Sequence, residues 1–585
     1  MSSSALLNVA IFLPLAGAIT VWSAAAMGRE IARSVALLFT LATLVVAAVL
    51  LARFPEHGDV ATGFAVTEFP WMGDSPLFDV RYSVGLDGLG LWLFGLSALL
   101  MITAVLVSWE AITERAPLFY GMLLILEFGC LGVFSARDII LFYVFFEFTL
   151  IPLFFLIGIW GSEDRRYAAI KFFVFTLAGS LLTFVGLLAI VWWAASHSPA
   201  GTLTFDIAEL TQTLKLHPIR PAYLQIMVFV ALFAGFAIKV PLFPLHTWLP
   251  LAHVQAPTAG SVILAGILLK IGTYGFVRFS LPMLPAASVA CFPFVICLAV
   301  TGIVYGALVA LAQQDIKRLI AYSSVSHLGF CMLGLFAFNP IGLAGGTLQM
   351  VNHGLSTGGL FALVGMLYER YHTREIRQFG GLARRLPWLA FFMLVFTFSS
   401  IGLPGLNGFV GEFMVLLAAF QRAWTGSPAS WQFTLQLLAV LAVSGVVLGA
   451  WYMLWLVQRV FFGPLREPRS HHEVGSHATA TADLSWREIA ALAPLAVLIV
   501  WIGVQPGFFL SRMQPTLNGV ASLVESSMLD RLRSDERVAI AASVPTHSDS
   551  AHTADPSQLT PTANTRTEPS GIRNTASDRS VAAER

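Results

Sequence analysis

The chain has 585 residues, of which 57% are hydrophobic and 11% are Asp, Glu, Lys or Arg, with a mean hydropathy of +0.77. Soluble domains carry about 25% charged residues, so an ordinary globular protein is excluded. The formal net charge of +1 gives no reason to expect a nucleic-acid partner, and Cys130, Cys291, Cys297 and Cys331 stand singly in apolar runs, without the spacing of a disulfide framework, zinc site or iron–sulfur cluster.

The N-terminal stretch MSSSALLNVAIFLPLAGAITVW has no basic leader and no convincing cleavage site, and is expected to stay as a first membrane helix. Apolar runs of about 20 residues, enough to cross a hydrocarbon core as helix, then recur along the chain. They predict an all-α polytopic membrane protein of about fourteen spans. The spans lie near 5–26, 33–53, 84–108, 117–135, 139–159, 168–195, 222–250, 257–279, 287–312, 318–337, 341–367, 388–420, 433–462 and 486–510. Residues 1–110 then hold the first three helices, 111–280 helices four to eight, and 281–465 helices nine to thirteen. Residues 466–515 hold a loop and the last helix. The remainder, 516–585, reads as a polar and largely disordered tail, most clearly from Ser543 to Arg585.

The seventh and twelfth spans are too long for an ordinary crossing, about 43 Å and about 50 Å as straight helices. Both are interrupted, by KVPLFP around Pro241 and Pro244 and by GLPGLNG around Pro404 and Gly405. Proline removes a backbone donor and clashes with the preceding turn, so both should be broken helices. Non-helical backbone at membrane depth is tolerated only inside protein or beside a wet cavity. The breaks lie five spans apart, an odd number, so the two helices run in opposite directions. That is the pattern of two inverted five-helix repeats, each with a broken helix, and it points to an ion pathway.

Loop charge gives an orientation. Odd-numbered loops carry Arg29, Arg33, Arg115, Arg165, Arg166, Lys317, Arg318, Arg370, Arg374, Arg377, Arg384, Arg385, Arg459, Arg466 and Arg469. Even-numbered loops carry Arg53, Arg81, Arg137, Lys215, Arg220, Arg278 and Arg422. The roughly twofold bias makes the odd loops cytoplasmic and puts both termini outside.

Inside the spans stand Glu127, Glu147, Lys239, Lys270, His327, His353 and Glu412. A charge at the bilayer centre costs at least about 2.5–3.5 kcal/mol, so such residues are functional candidates. A midspan histidine also serves as a neutral hydrogen-bonding group, and Glu127 or Glu147 as a structural partner. Together, mixed in sign and spread over both halves, they have the make-up of a proton relay. Lys239, beside a break that admits water, is the expected protonation switch, with Glu147 as its partner if the two can meet.

At these residues the chain resembles the antiporter-like subunits of respiratory complex I and their relatives in cation/proton antiporters and membrane-bound hydrogenases. The likeness spans about residues 80–465 and rests on FYVFFEFTLIPLF, GFAIKVPLFPLHTWLPLAHVQAPTAGSVILAGILLKIGTYG, IAYSSVSHLGF, VNHGLSTGGLF and GLPGLNGFVGEF. The resemblance implies a coupling pair at Glu147 and Lys239, and a hydrophilic axis through Lys270, His327 and His353. At the twelfth-helix position it implies a glutamate branch (M-type), through Glu412, rather than the lysine branches (L- and N-type). It further implies proton translocation in a complex passing electrons from NADH to quinone, in the cell inner (plasma) membrane. The L- and N-type paralogues would be neighbours, and NADH, FMN, iron–sulfur clusters and quinone would sit in other subunits. This sequence has no dinucleotide fingerprint or cluster ligands of its own, so no cofactor or metal is expected here. A cation/proton antiporter subunit, or a hydrogenase or ferredoxin-dependent complex, is the alternative.

Overall fold

The computed structural model describes residues 1–55, 63–72, 77–198, 201–468 and 482–543, with side chains as far as Asp535. Helices α1 (Ser3–Ser23) and α2 (Arg29–Arg53) precede strands β1 (Phe64–Pro70), β2 (Phe78–Asp79) and β3 (Arg81–Leu86). Next come α3 (Gly88–Val107), α4 (Ala116–Ser135), α5 (Ile139–Trp160) and α6 (Arg165–His197). β4 (Leu203–Thr204), α7 (Ile207–Leu216), α8 (Ala222–Lys239) and α9 (Trp248–Gln255) lead into α10 (Thr258–Met283). The chain continues through α11 (Pro285–Leu311), α12 (Ile316–Leu335), α13 (Pro340–Tyr371), α14 (Pro387–Ser400) and α15 (Asn407–Thr425). It ends in α16 (Ala429–Phe461), α17 (Trp486–Val504) and α18 (Gly507–Ser543).

Twelve of these helices are long and apolar enough to cross a membrane: α1 to α6, α8, α10, α11, α13, α16 and α17. Two expected spans fall outside that set for physical reasons. α12 opens with Lys317 and Arg318 and carries YSSVSH at its middle, which lowers its hydropathy although nearly all of it is buried. The twelfth expected span is divided into α14 and α15, each too short or too polar alone. The third expected span begins late, because β3 runs to Leu86 and Asp87 caps α3 by accepting from the Gly90 amide at 2.7 Å.

The most apolar span and the least apolar one are buried to opposite extents. α2, with a mean hydropathy of 2.8, has only 28% of its apolar window buried. α13, at 1.2, is buried along its whole window, as is α10. An apolar helix can face lipid, whereas one rich in Gly, Ser, Thr, Asn and His must be enclosed by protein. The core therefore sits around α10 and α13, with α3, α12 and α15 packed on them and α2, α16 and α17 at the rim. One side of the bundle carries an antiparallel hairpin, β1 with β3, in which Phe69 faces Tyr82. β2 pairs in parallel with β4, Phe78 opposite Leu203.

The expectation of a disordered tail from residue 516 is corrected: α18 continues through that point to Ser543. Its apolar residues are too sparse to read as a membrane span, yet Phe509, Met513, Leu517, Val520, Val524 and Met528 recur at helical spacing and are buried. They form one stripe against the body of the protein, with charged residues on the other face. Residues 544–585 lie outside the described residues.

Val524 is wholly buried in that stripe, a placement worth about 1.5–3 kcal/mol. Val524→Asp should detach α18, giving protease cleavage between residues 507 and 535 while membrane insertion stays normal. An unchanged digestion pattern would refute the docked stripe.

Candidate functional site

Both expected breaks are present, and their freed backbone groups find partners. α8 stops at Lys239; beyond it the Leu242 amide donates to Ala237 O at 2.9 Å, and the Trp248 indole donates to Ile238 O at 2.9 Å. The second break, between Ser400 and Asn407, turns through Gly402 and Gly405 at φ values of 72° and 92°. Left-handed backbone of this kind favours glycine. α15 then starts so close to α14 that a Cβ on Gly408 would lie 2.0 Å from Ser399 O. Asn407 ties the two pieces together: its Oδ1 accepts from Ser399 Oγ at 2.5 Å, and its backbone carbonyl accepts from Asn352 Nδ2 of α13 at 2.8 Å.

Between the breaks, four of the six residues expected to carry protons make one line. Lys270 lies on α10 between two π-helical turns, Leu264–Leu268 and Phe276–Ser280. Its ammonium donates to the Ala265 carbonyl and to Nδ1 of His353 at 2.6 Å. The His353 and His327 rings are 5.7 Å apart between centroids. Nδ1 of His327 lies 3.1 Å from Oε1 of Glu412, beyond the second break on α15. The same carboxylate accepts from Gln349 Nε2 at 3.2 Å. His327 Nε2 in turn meets Ser400 Oγ at 3.2 Å and Tyr452 OH at 3.4 Å. All four groups are less than a tenth exposed. Ionisable groups so placed change charge only by handing protons to one another or to water, which is the property of a proton wire.

Lys239 and Glu147 are arranged differently. Lys239 is buried and points its ammonium at the ring of Phe146, 4.4 Å from the centroid, and makes no hydrogen bond. Glu147 follows Phe146 on α5, with its Oε1 also lacking a hydrogen-bond partner. Among the described residues no ion pair joins them. A cation–π contact of this kind is worth about 0.5–2 kcal/mol. Glu127 is completely buried on α4, with neither oxygen bonded.

Sequence reading missed several members of the site. Gln349, Ser400 and Tyr452 contact the line directly, and Asn352 joins it through Gln349 while bonding Asn407. Asn352 and Gln349 stand beside the selected His353 in LQMVNHG, where two amides in an apolar run were a usable signal. Tyr452 sits in an ordinary aromatic-rich span and gave none.

The family described as NADH:quinone oxidoreductase/Mrp antiporter, TM matches residues 136–449, a segment that contains all six candidates. The chain belongs to that family. It is 41% identical over 531 residues to the NADH-quinone oxidoreductase subunit M of Rhodobacter capsulatus, covering 90% of this chain and 97% of the relative. The NADH-ubiquinone oxidoreductase chain 4 of Chondrus crispus is 42% identical over 448 residues, which cover 76% and 84% of the two chains. Respiratory complex I from Thermus thermophilus contains a chain that superposes with a TM-score of 0.74 at 33% identity, covering 88% of this chain and 99% of that one.

The amide of Asn352 holds the second break through the Asn407 carbonyl and also reaches Gln349 Oε1 at 3.2 Å. Asn352→Leu leaves both acceptors buried, at about 1–3 kcal/mol each. The thermal midpoint of the detergent-solubilised protein should fall by several degrees; an unchanged midpoint would mean that the break does not depend on this amide.

Proposed function

We propose that this chain is the M-type membrane-arm subunit of an NADH:quinone oxidoreductase, and that it moves protons across the membrane while electrons pass from NADH to quinone in other subunits. The observation that carries this reading is the buried line Lys270–His353–His327–Glu412, ending beside a broken helix. A glutamate at that end supports the M-type branch. Glu147 and Lys239 act as the switch: pairing raises the lysine's hold on its proton, and parting releases the proton toward Lys270. The two halves form an inverted pair of five-helix repeats with the breaks at matching positions. NADH, FMN, iron–sulfur clusters and quinone are held elsewhere in the assembly, with the L- and N-type paralogues as neighbours in the membrane arm.

The cell inner membrane is the proposed location, with the hairpin side outside and the arginine-rich loops inside. A cysteine introduced at Gly380, in the arginine-rich loop before α14, should resist an impermeant external thiol reagent. One introduced at Ser570 in the tail should be labelled from outside. The opposite pattern would reverse the orientation.

Lys239→Ala should leave the complex assembled while lowering proton pumping by at least about tenfold, the scale of one lost interaction of 1.4 kcal/mol in a barrier. Lys239→Arg should not restore it, because arginine keeps its proton at any accessible pH. Glu412→Gln retains shape and the amide contact but no titratable proton, and should impair pumping; Glu412→Asp should retain substantial activity. The measurement is protons moved per NADH oxidised in reconstituted vesicles. Wild-type pumping by Lys239→Ala and Glu412→Gln would overturn the relay. Copurification with hydrogenase or cation-antiporter subunits, in place of NADH-oxidising ones, would overturn the assignment to this complex.

A further inference from the structure

The relay as drawn receives its proton through Lys239. A second group of buried polar residues lies between Lys270 and the opposite, arginine-rich side, and no step above uses it. Its centre is His253 on α9, the short helix after the first break. His253 is 0% exposed, and neither ring nitrogen has a hydrogen-bond partner. Its ring lies flat on Phe361 of α13, with 4.4 Å between centroids and 3° between planes. The stack fixes the plane of the imidazole and leaves both nitrogens at its edges. A histidine kept only for packing would have at least one nitrogen bonded to a neighbour, as buried polar groups in folded proteins almost always do.

The charged groups that act on His253 are Lys317 and Lys270, and His253 in turn acts on His353. Lys317, at the start of α12, is itself buried and donates to Ala256 O at 2.6 Å, the residue that ends α9. Beyond it toward the surface, Arg374 donates to Val254 O at 2.9 Å and approaches Asp315 at 3.5 Å. That pair is partly exposed. On α13, Phe361 stands eight residues after His353, a rise of about 12 Å. His253 therefore lies about two turns from the level of Lys270, on the side of the arginine-rich loops.

We propose that His253 is a second proton-uptake station, through which Lys270 is reloaded from the side of the arginine-rich loops without passing Lys239. When Lys270 has handed its proton to Nδ1 of His353, its amine is neutral and has a free electron pair. One ring nitrogen of His253 then binds a proton delivered by water past Lys317. The other ring nitrogen releases its own proton to water, which carries it across the intervening two turns to the Lys270 amine, and the ring returns to its starting tautomer by exchanging protons or turning. Charge and atoms balance: one proton enters from water and one ammonium is remade. Lys317 guards the path, since a fixed ammonium bonded to Ala256 O repels a second cation until that bond opens. The inference rests on the relay role proposed for Lys270.

The test uses the intact complex in vesicles. His253→Phe keeps the aromatic stack on Phe361 and removes both proton-carrying nitrogens; His253→Gln keeps polarity without a proton that can be exchanged at neutral pH. Both variants should assemble and oxidise NADH with a lowered ratio of protons moved to NADH oxidised. The solvent deuterium isotope effect on pumping should rise at least about twofold, because proton delivery becomes rate-limiting. Lys317→Met, which removes the guarding charge, should restore pumping to neither variant and should increase passive proton leak in the otherwise unaltered complex. A wild-type ratio and isotope effect in His253→Phe would overturn the proposal. Should His253→Phe fail to assemble, the same readouts on His253→Gln decide it. Loss of pumping in Lys239→Ala together with normal pumping in both His253 variants would leave the relay standing and remove this inlet alone.

Discussion

Lys270 can stand at the centre of this fold because α10 and α13 touch no lipid. Both helices are buried along their full membrane windows, and the ammonium meets the Ala265 carbonyl and the His353 ring as soon as it leaves its own backbone. An unshielded charge there would oppose insertion. Enclosed, it needs only acceptors, and the π-helical turn supplies one by presenting a carbonyl five residues back on the same helix. π-turns interrupt the regular ladder and recur where a helix does chemistry. The rim of apolar helices exists, in physical terms, to keep this pair of polar helices out of hydrocarbon.

The second constraint is the joint between α14 and α15. A helix that breaks inside the bundle leaves carbonyls and amides that must be satisfied by protein. Ser399, Asn407 and Asn352 tie its two sides together by hydrogen bonds, one of which satisfies the Asn407 carbonyl. Glu412 lies one turn beyond the joint, and Ser400, on the other side of it, touches His327. A change in the joint therefore moves two of the three hydrogen-bond partners of the same histidine, Glu412 and Ser400, while Tyr452 lies elsewhere. Few packed helices offer such a lever, since a continuous helix transmits displacement only along its axis.

Much of this was legible in the chain alone. Lys270, His327, His353 and Glu412 announced themselves as ionisable residues inside apolar runs, and the prolines and glycines marked both breaks. Pairings such as Lys270 with His353, 83 residues apart, and His327 with Glu412, 85 apart, depend on how helices are laid side by side. No periodicity encodes that. His253 was passed over because a histidine beside Pro250 and Pro257 reads as loop chemistry until α9 is seen to be buried. The contact of Lys239 with Phe146 was beyond sequence for the same reason, since it depends on how α5 and α8 are laid side by side. α18 was read as a tail because hydropathy averaged over a window dilutes a stripe of one residue in three or four, although the stripe itself was there to be counted.

The polar character of α13 also bears on how the protein is made. A segment with a mean hydropathy of 1.2 that includes Gln349, Asn352 and His353 is a weak candidate for entering lipid by itself, since polar residues at a helix centre oppose partitioning from the translocon. Its partners α3, α10 and α12 are all synthesised before it, so a protein surface is already waiting when it emerges. α14, α15 and α17 follow it and pack on its remaining faces. The order of helices along the chain thus doubles as an order of membrane integration, in which a weakly lipid-soluble helix arrives after much of its shelter and is covered further by helices that follow.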